Sequence, residues 1–157
     1  MTSRIKLDHK KTNIYIDTNV LWNYCKKRPA EVACLNALFK RKKKEHLFTS
    51  TFAIGQTMAG IQKSKTRKTG LTKEDTIKEG KKLCHKMTVL HFTEQDIQDG
   101  FMKDGNDVED NIHFAISQKM NCNVIITNDF DGFSELGVEI VKPEELGYMK
   151  AILQLKK

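Results

Sequence analysis

The sequence predicts an α/β fold built on a mostly parallel sheet of four or five strands. Short runs rich in apolar and β-branched residues alternate along its 157 residues with longer segments of helical periodicity. Two of these runs, 13–16 and 124–127, are mostly apolar throughout, which is typical of strands covered on both faces. The length suits one domain, and no repeat or linker divides the chain, so we expect residues 1–157 to form a single domain.

The elements follow in order along the chain. We predict strands at 13–16, 47–49, 88–92, 124–127 and 138–141. We predict helices at 19–25, 30–43, 51–63, 73–86, from Thr93 to Lys103, at 107–120, and from Pro143 towards Leu155.

Several local features support these helices. Pro29 suits the first turn of a helix. Thr72 and Thr93 each precede an aspartate by three residues, which is the spacing of a helix-capping pair. The pair Gly105–Asn106 separates two of the predicted helices.

Charge is unevenly distributed along the chain. Residues 1–92 hold 21 Lys and Arg against 7 Asp and Glu, whereas residues 93–146 hold 3 against 13. This split suits a polyanion-binding surface beside an acidic, cation-binding centre. An ordinary charged surface is the alternative explanation.

Composition excludes several classes of protein. Hydrophobic residues make up 39% of the chain, which is enough for a core and excludes a wholly disordered protein. No apolar run is long enough to span a bilayer, so we expect no membrane association. The four cysteines form no CxxC pair, and residues 1–11 lack the apolar segment of a signal peptide. We therefore predict free thiols and a cytoplasmic location.

Acidic residues fall where strands of the predicted sheet end. Ligands of open parallel sheets bind beyond the carboxyl ends of the strands. Asp17 ends the first strand, and Asp129 and Asp131 follow the fourth. If those strands are neighbours, Asp17 and Asp129 lie close together. As an alternative, each of these acids caps a helix or forms a turn.

Two more acids belong at the same edge. Asp107 and Asp110 share one face at the start of the helix that leads into the fourth strand. An antiparallel return places that helix start at the carboxyl edge. Carboxylates that converge in one cleft repel one another unless a cation is present, and oxygen ligands favour Mg²⁺ or Mn²⁺. Such ions activate water and neutralise charge on a phosphate.

Four segments of the chain resemble the motifs of one known protein family, in the same order. The family's opening strand with its Asp-x-Asn signature is similar to IYIDTNVLW at 14–22, and its strand-Ser-helix motif to LFTSTFAIGQTM at 47–58. Its third and fourth acidic motifs are similar to EDNIHFAISQKMNCNVIITNDFDGF at 109–133, and its closing strand to VEIVKPEEL at 138–146. The chain therefore resembles the PIN-domain ribonucleases, and the resemblance runs from 13 to 146 in the family's order.

The resemblance implies both a fold and an activity. The fold would be a three-layer α/β/α sandwich. The activity would be cleavage of single-stranded RNA with Mg²⁺ or Mn²⁺ held by acids, in a protein that acts as a toxin with an antitoxin partner or in RNA processing. Structured RNA as substrate and a homodimer are further expectations. Asp17, Asp110 and Asp129 match the family's first, third and fourth acids, with support from Asn19, Thr127, Asp107 and Asp131.

One position departs from the family pattern. Gln56 stands where the family usually has Glu, so the site loses a negative charge. Two interpretations follow: a nuclease with altered metal binding, or an RNA-binding or protein-interaction module without turnover. A phosphatase with an aspartyl nucleophile is a weaker third interpretation, because Asn19 replaces the second Asp that this chemistry needs.

Basic residues cluster in two segments that are candidates for contacts with the RNA backbone. They are Lys40, Arg41 and Lys43 at the end of one helix, and Lys63, Lys65, Arg67 and Lys68 in or beside the 64–70 loop. For residues 40–44 the alternative is a solvated helix C-terminus favoured by the helix dipole. We interpret His113 as a structural residue of an apolar helix and Ser50 as a helix N-cap.

Overall fold

The computed structural model describes residues 12–63 and 71–145. Its sheet has five strands in the order β3-β2-β1-β4-β5, and every neighbouring pair is parallel. This arrangement confirms the predicted α/β fold. The strands are β1 Ile14–Ile16, β2 Leu47–Ser50, β3 Thr88–Leu90, β4 Val124–Ile126 and β5 Glu139–Val141.

Helices connect the strands. They are α1 Thr18–Cys25, α2 Pro29–Arg41, α3 Thr51–Lys63, α4 Lys73–Lys86, α5 Glu94–Phe101, α6 Val108–Gln118 and α7 Phe130–Phe133. Short 3-10 segments occupy Lys44–His46, Ser134–Leu136 and Pro143–Glu145. The predicted elements end within about two residues of these bounds. The sequence did not predict α7, because four residues carry no measurable periodicity. The predicted helical tail beyond 145 lies outside the described residues.

The sheet separates two hydrophobic cores. Ile14 and Ile16 point to the face that is covered by α1, α2, α3 and α4. Tyr15 points to the opposite face, which α5, α6 and α7 cover. Because successive side chains of a strand alternate between faces, β1 contributes to both cores, and all three of its residues are buried. The result is a three-layer α/β/α sandwich.

The predicted caps are present. Thr72 accepts a hydrogen bond from the backbone N–H of Asp75 at 3.1 Å and begins α4. Thr93 and Asp96 form a reciprocal capping box at the start of α5. Pro29 is the first residue of α2. These local hydrogen bonds satisfy the N–H groups that a helix start leaves without partners.

The expectation that the cysteines are free thiols also agrees with the structure. The four cysteines are free thiols, and three of them are buried. Among the helices within 12–63 and 71–145, none combines the length and apolarity needed to cross a membrane.

Candidate functional site

The central pair of strands brings the first and fourth acidic segments together. β1 and β4 pair in register from Ile14 and Val124 to Ile16 and Ile126. The backbone N–H of Asp17 extends this pairing by donating to the carbonyl of Ile126 at 3.0 Å. The adjacency that the sequence argument required is therefore present, at the carboxyl edge of the sheet.

Polar side chains fasten these two strand ends to each other. The Thr127 hydroxyl donates to Asp17 Oδ2 at 2.8 Å. Asn19 donates through Nδ2 to Asp17 Oδ2 and to Thr127 Oγ1, both at 3.1 Å, and its Oδ1 accepts from the backbone N–H of Asn128 at 3.1 Å. Asn19 and Thr127 therefore act as a clamp that holds Asp17 in one orientation.

Three of the acids also cap helices, as the alternative interpretation expected. Asp17 accepts from the N–H of Thr18 at 2.7 Å. Asp107 accepts from the N–H of Asp110 at 3.0 Å, and Asp129 from the N–H of Gly132 at 3.1 Å. Capping uses one oxygen of each carboxylate and fixes its direction, so for Asp107 and Asp129 it is compatible with a second role for the other oxygen. The other oxygen of Asp17 already accepts from Thr127 and Asn19.

Carboxylate oxygens of Asp107, Asp110 and Asp129 lie within 4.8 Å of one another. Asp110 is buried, and no described residue forms a hydrogen bond with its Oδ2. Burial raises the pKa of Asp110 to about 9, helped by the adjacent Asp129 carboxyl, with which a protonated Asp110 could share its proton, and by the charges of Asp17, Asp107 and Asp129. Such an oxygen is costly to bury without a partner, so the cluster needs a proton or a cation.

The backbone leaves room for this cluster at Gly132. A Cβ added to Gly132 would overlap Asp110 Oδ2 and would lie 2.9 Å from Asp129 Oδ2. Only glycine therefore permits the two carboxylates to approach the start of α7. A set of oxygen donors with one unpartnered buried oxygen fits a hard divalent cation such as Mg²⁺ or Mn²⁺.

Asp17 and Asp131 stand outside that group of three carboxylates. Asp17 is 3% exposed, and its negative charge helps to raise the pKa of Asp110. Burial also raises the pKa of Asp17 itself, while the nearby His113 and the hydrogen bonds from Thr127 and Thr18 oppose this effect. Asp131 is exposed in the first turn of α7.

Gln56 meets a residue that the sequence argument assigned to the core. Its Oε1 accepts from the Thr18 hydroxyl at 2.7 Å and lies 3.1 Å from His113 Nε2. His113 is fully buried, and burial lowers the pKa of its imidazole. Its position, three residues after Asp110 on α6, was the available signal, because residues at i and i+3 share a helix face.

A buried polar chain continues behind His113. The Tyr15 hydroxyl lies 2.8 Å from His113 Nδ1 and 2.8 Å from Ser50 Oγ. Ser50 accepts from the N–H of Ala53 at 3.0 Å, which confirms its role as an N-cap. Burial raises the pKa of the Tyr15 phenol, so it stays protonated. No pattern in the sequence indicated that Tyr15 and Thr18 belong to this edge.

The basic residues are placed differently from the acids. Lys40, Arg41 and Lys43 are exposed at the end of α2, shortly before β2 begins. They therefore lie towards the amino ends of the parallel strands, at the opposite edge of the sheet from the carboxylates. Lys63 is the last residue of α3, and Lys65, Arg67 and Lys68 fall outside the described residues. Their contact with RNA stays a prediction.

Known structures share this fold. They include VapBC2 from Rickettsia felis bound to a promoter DNA fragment (15% identity, TM-score 0.60, 83% of this chain and 98% of that one). The sarcin–ricin loop cleaving toxin VapC20 from Mycobacterium tuberculosis is similar as well, with 17% identity and a TM-score of 0.61 over 80% of this chain and 96% of that one. DNA-bound VapBC from Salmonella typhimurium is also similar, with 15% identity and a TM-score of 0.60 over 84% of this chain and 98% of that one.

Sequence comparisons give a family but no curated relative. A search of curated proteins finds no match. The PIN domain family model, in contrast, matches residues 14–139, which span the whole sheet from β1 into β5. The fold, the order of the acidic segments and this match agree, and the chain belongs to the PIN domain family.

Proposed function

We propose that this protein is a metal-dependent endoribonuclease that cleaves phosphodiester bonds of single-stranded or structured RNA. The observation that carries the proposal is the group of Asp107, Asp110 and Asp129 around a buried oxygen without a hydrogen-bond partner in the described residues. Membership of the PIN domain family supports it, because proteins of this family are generally nucleases.

The residues of the site have separate roles in this proposal. Asp110, Asp129 and Asp107 hold Mg²⁺ or Mn²⁺, and Asp17 adds a fourth negative charge beside them. A divalent cation in this position supplies positive charge for the phosphate and lowers the pKa of a nearby water. Asn19 and Thr127 keep Asp17 in place through their hydrogen bonds.

The structural neighbours support a partner and a class of substrate. VapC20 is a toxin that cleaves the sarcin–ricin loop, and two other neighbours are VapBC complexes bound to DNA. We infer that this chain is the toxin of a toxin–antitoxin pair and that it acts in the cytoplasm. A homodimer stays a prediction.

The substrate would cross the carboxyl edge of the sheet, where the scissile phosphate meets the acids. Lys40, Arg41 and Lys43 lie towards the other edge, so they would contact RNA that extends around the domain rather than the phosphate at the site. Neutralising them should weaken binding of long RNA more than binding of short RNA.

Cleavage of a mixed-sequence, end-labelled single-stranded RNA tests the proposal. The reaction is run with Mn²⁺, with Mg²⁺ and with EDTA, beside Asp17→Asn and Asp110→Asn proteins purified identically. We expect cleavage that requires the metal and is lost in both variants. Equal cleavage by wild type and variants would assign the activity to a contaminant and contradict the proposal.

A second candidate function is binding without turnover, and Gln56 favours it. The amide removes one negative charge from the acidic edge, and its oxygen already accepts a hydrogen bond from Thr18. Folded wild-type protein that binds RNA equally well with and without divalent ions, and cleaves none, would favour this second function. Cleavage gained by Gln56→Glu would then show that this one position silenced the site.

A further inference from the structure

A buried series of hydrogen bonds leads from Ser50 through Tyr15 and His113 to Gln56. A backbone N–H at its first residue determines which group donates and which accepts along the series. The N–H of Ala53 can only donate, so Ser50 Oγ is an acceptor at that contact. Ser50 is fully buried, and its own proton has one recorded acceptor among the described residues, the Tyr15 oxygen at 2.8 Å. Tyr15 then directs its proton to His113 Nδ1 at 2.8 Å.

This direction fixes the tautomer of His113. An imidazole that accepts at Nδ1 carries its proton on Nε2 when it is neutral. Nε2 lies 3.1 Å from Gln56 Oε1 and 3.3 Å from Thr18 Oγ1. The Thr18 hydroxyl itself donates to Gln56 Oε1 at 2.7 Å. Both lone pairs of the Gln56 carboxamide oxygen are therefore engaged.

The opposite assignment leaves a buried proton without a partner. If Gln56 turned its amide nitrogen towards His113, the imidazole would need its proton on Nδ1 and would donate to Tyr15. Tyr15 would then donate to Ser50, which already accepts from Ala53. The proton of the fully buried Ser50 would have no recorded acceptor among the described residues, which is unfavourable.

We propose that Gln56 presents a hydrogen-bond donor, not a metal ligand, to the acidic cleft, and that Ser50, Tyr15 and His113 hold it in this orientation. The carboxamide oxygen of Gln56 faces Thr18 and His113, and the nitrogen diverges from that oxygen. Because Gln56 is only half-buried, its N–H groups have room on the side away from Thr18 and His113. A donor in that place suits an oxygen of a phosphate. This inference rests on the proposed nuclease function for the identity of the anion, RNA.

The chain thus combines a smaller acidic set with an added donor. His113 and Tyr15 are positioning residues, because they act through Gln56. Gln56→Glu is the matched variant: it keeps the oxygen that accepts from Thr18 and His113 and replaces the donor by a second oxygen. We expect the variant to bind Mn²⁺ about tenfold more tightly and RNA in EDTA about tenfold more weakly than wild type.

Long-range ¹H–¹⁵N NMR of the histidine side chains tests the orientation without metal or RNA. His113 is assigned by the signal lost in His113→Gln. We expect a neutral ring with its proton on Nε2 in wild type, and a changed tautomer ratio in Tyr15→Phe, which removes the donor to Nδ1. An unchanged tautomer ratio in Tyr15→Phe would show that Tyr15 does not direct the proton of His113, and it would contradict the positioning role of Tyr15.

Two results would overturn the proposal. One is a proton on Nδ1 of His113 in wild type, which reverses the chain of donors. The other is Gln56→Glu with unchanged affinity for Mn²⁺ and for a short single-stranded RNA in EDTA, or no RNA binding by either protein. Absence of cleavage alone would count against the proposed nuclease, whereas the tautomer measurement would still stand.

Discussion

Two buried aspartates, Asp96 and Asp110, show how a protein can treat the same side chain in opposite ways. Asp96 on α5 is 2% exposed, and its Oδ2 accepts from Thr93 at 2.8 Å and from Lys119 Nζ at 2.9 Å. Asp110 on α6 is 7% exposed, its Oδ2 has no hydrogen-bond partner in the described residues, and carboxylates surround it. The hydrogen bonds and the lysine that Asp96 needs come from the fold itself, whereas Asp110 needs a proton or a cation from solution.

The difference is the one we expect between an acid that stabilises the fold and an acid that binds a cation. A paired carboxylate contributes to stability, because its hydrogen bonds and its cation offset the loss of water. An unpaired carboxylate among like charges stores an unfavourable interaction that a bound cation relieves.

Asp110→Asn should have the largest effect on function. We expect RNA cleavage and Mn²⁺ affinity to fall by at least about 100-fold, because loss of a direct ligand should exceed the effect of losing an outer-shell contact. Isothermal titration with Mn²⁺ and the end-labelled RNA assay would measure this. Asp104→Asn, an exposed acid in the preceding loop, is the matched control and should behave as wild type. Retained Mn²⁺ affinity in Asp110→Asn would remove the proposed metal site.

Divalent affinity should rise with pH. The pKa of Asp110 is about 9, so the carboxyl is protonated at neutral pH, and an ion must displace that proton to bind. We expect Mn²⁺ affinity to increase by about tenfold per pH unit below pH 9 and to level off above it. Titrations in buffers of different ionisation enthalpy would count the proton released. Affinity that does not change between pH 6.5 and 8.5 would contradict a protonated Asp110.

Gly132→Ala should damage the site without removing an acid. The added methyl would overlap Asp110 Oδ2 and push the carboxylate away from Asp129. We expect about tenfold weaker Mn²⁺ binding with a normal circular dichroism spectrum. Gly55→Ala is the control, since a Cβ there meets no atom within 4 Å. Equal Mn²⁺ affinity in both variants would contradict this expectation, because it would show that α7 shifts to accommodate the methyl group without displacing the Asp110 carboxylate.

The two aspartates should affect stability in opposite directions. We expect Asp96→Ala to lower the free energy of unfolding by about 2 kcal/mol and leave Mn²⁺ affinity unchanged. Asp99→Ala, on the exposed side of α5, is its control. Urea unfolding in EDTA measures both effects.

Asp110→Asn should raise the free energy of unfolding in EDTA at pH 8. The pKa of Asp110 rises from 3.8 to about 9 on folding. The unfolded chain therefore ionises first, and the folded state loses stability as pH rises from about 4 to about 9. The gain from Asp110→Asn should disappear near pH 4. A lower free energy of unfolding for Asp110→Asn than for wild type at pH 8 would contradict this, because it would show that the folded protein stabilises the Asp110 carboxylate.

Most of the fold was predictable, because its determinants are local. Local features specify several elements without contacts from distant residues. They are the apolar runs of β1 and β4, the caps at Thr72 and Thr93, and the helical periodicity of α3 and α4. The short helix α7 was missed, since tertiary contacts hold four residues that carry no pattern of their own.

The candidate site was predictable in composition and only partly in geometry. The positions of Asp17, Asp110 and Asp129 follow from their places after strands and at a helix start. The sequence could not show that Asp107 joins Asp110 and Asp129 while Asp17 is clamped by Asn19 and Thr127. It also placed His113 in the core without its partners, because Tyr15 and Gln56 lie far from it along the chain.

The sequence by itself determined the α/β architecture, the family resemblance and the acids of the carboxyl edge, because residue type, periodicity and spacing are properties of neighbouring residues. Only the tertiary structure decided that Asp96 pairs with Lys119, that Asp110 Oδ2 has no hydrogen-bond partner within 12–63 and 71–145, and which way the Gln56 amide faces. Those outcomes depend on hydrogen-bond partners brought from other strands and helices, and no local pattern encodes their distances.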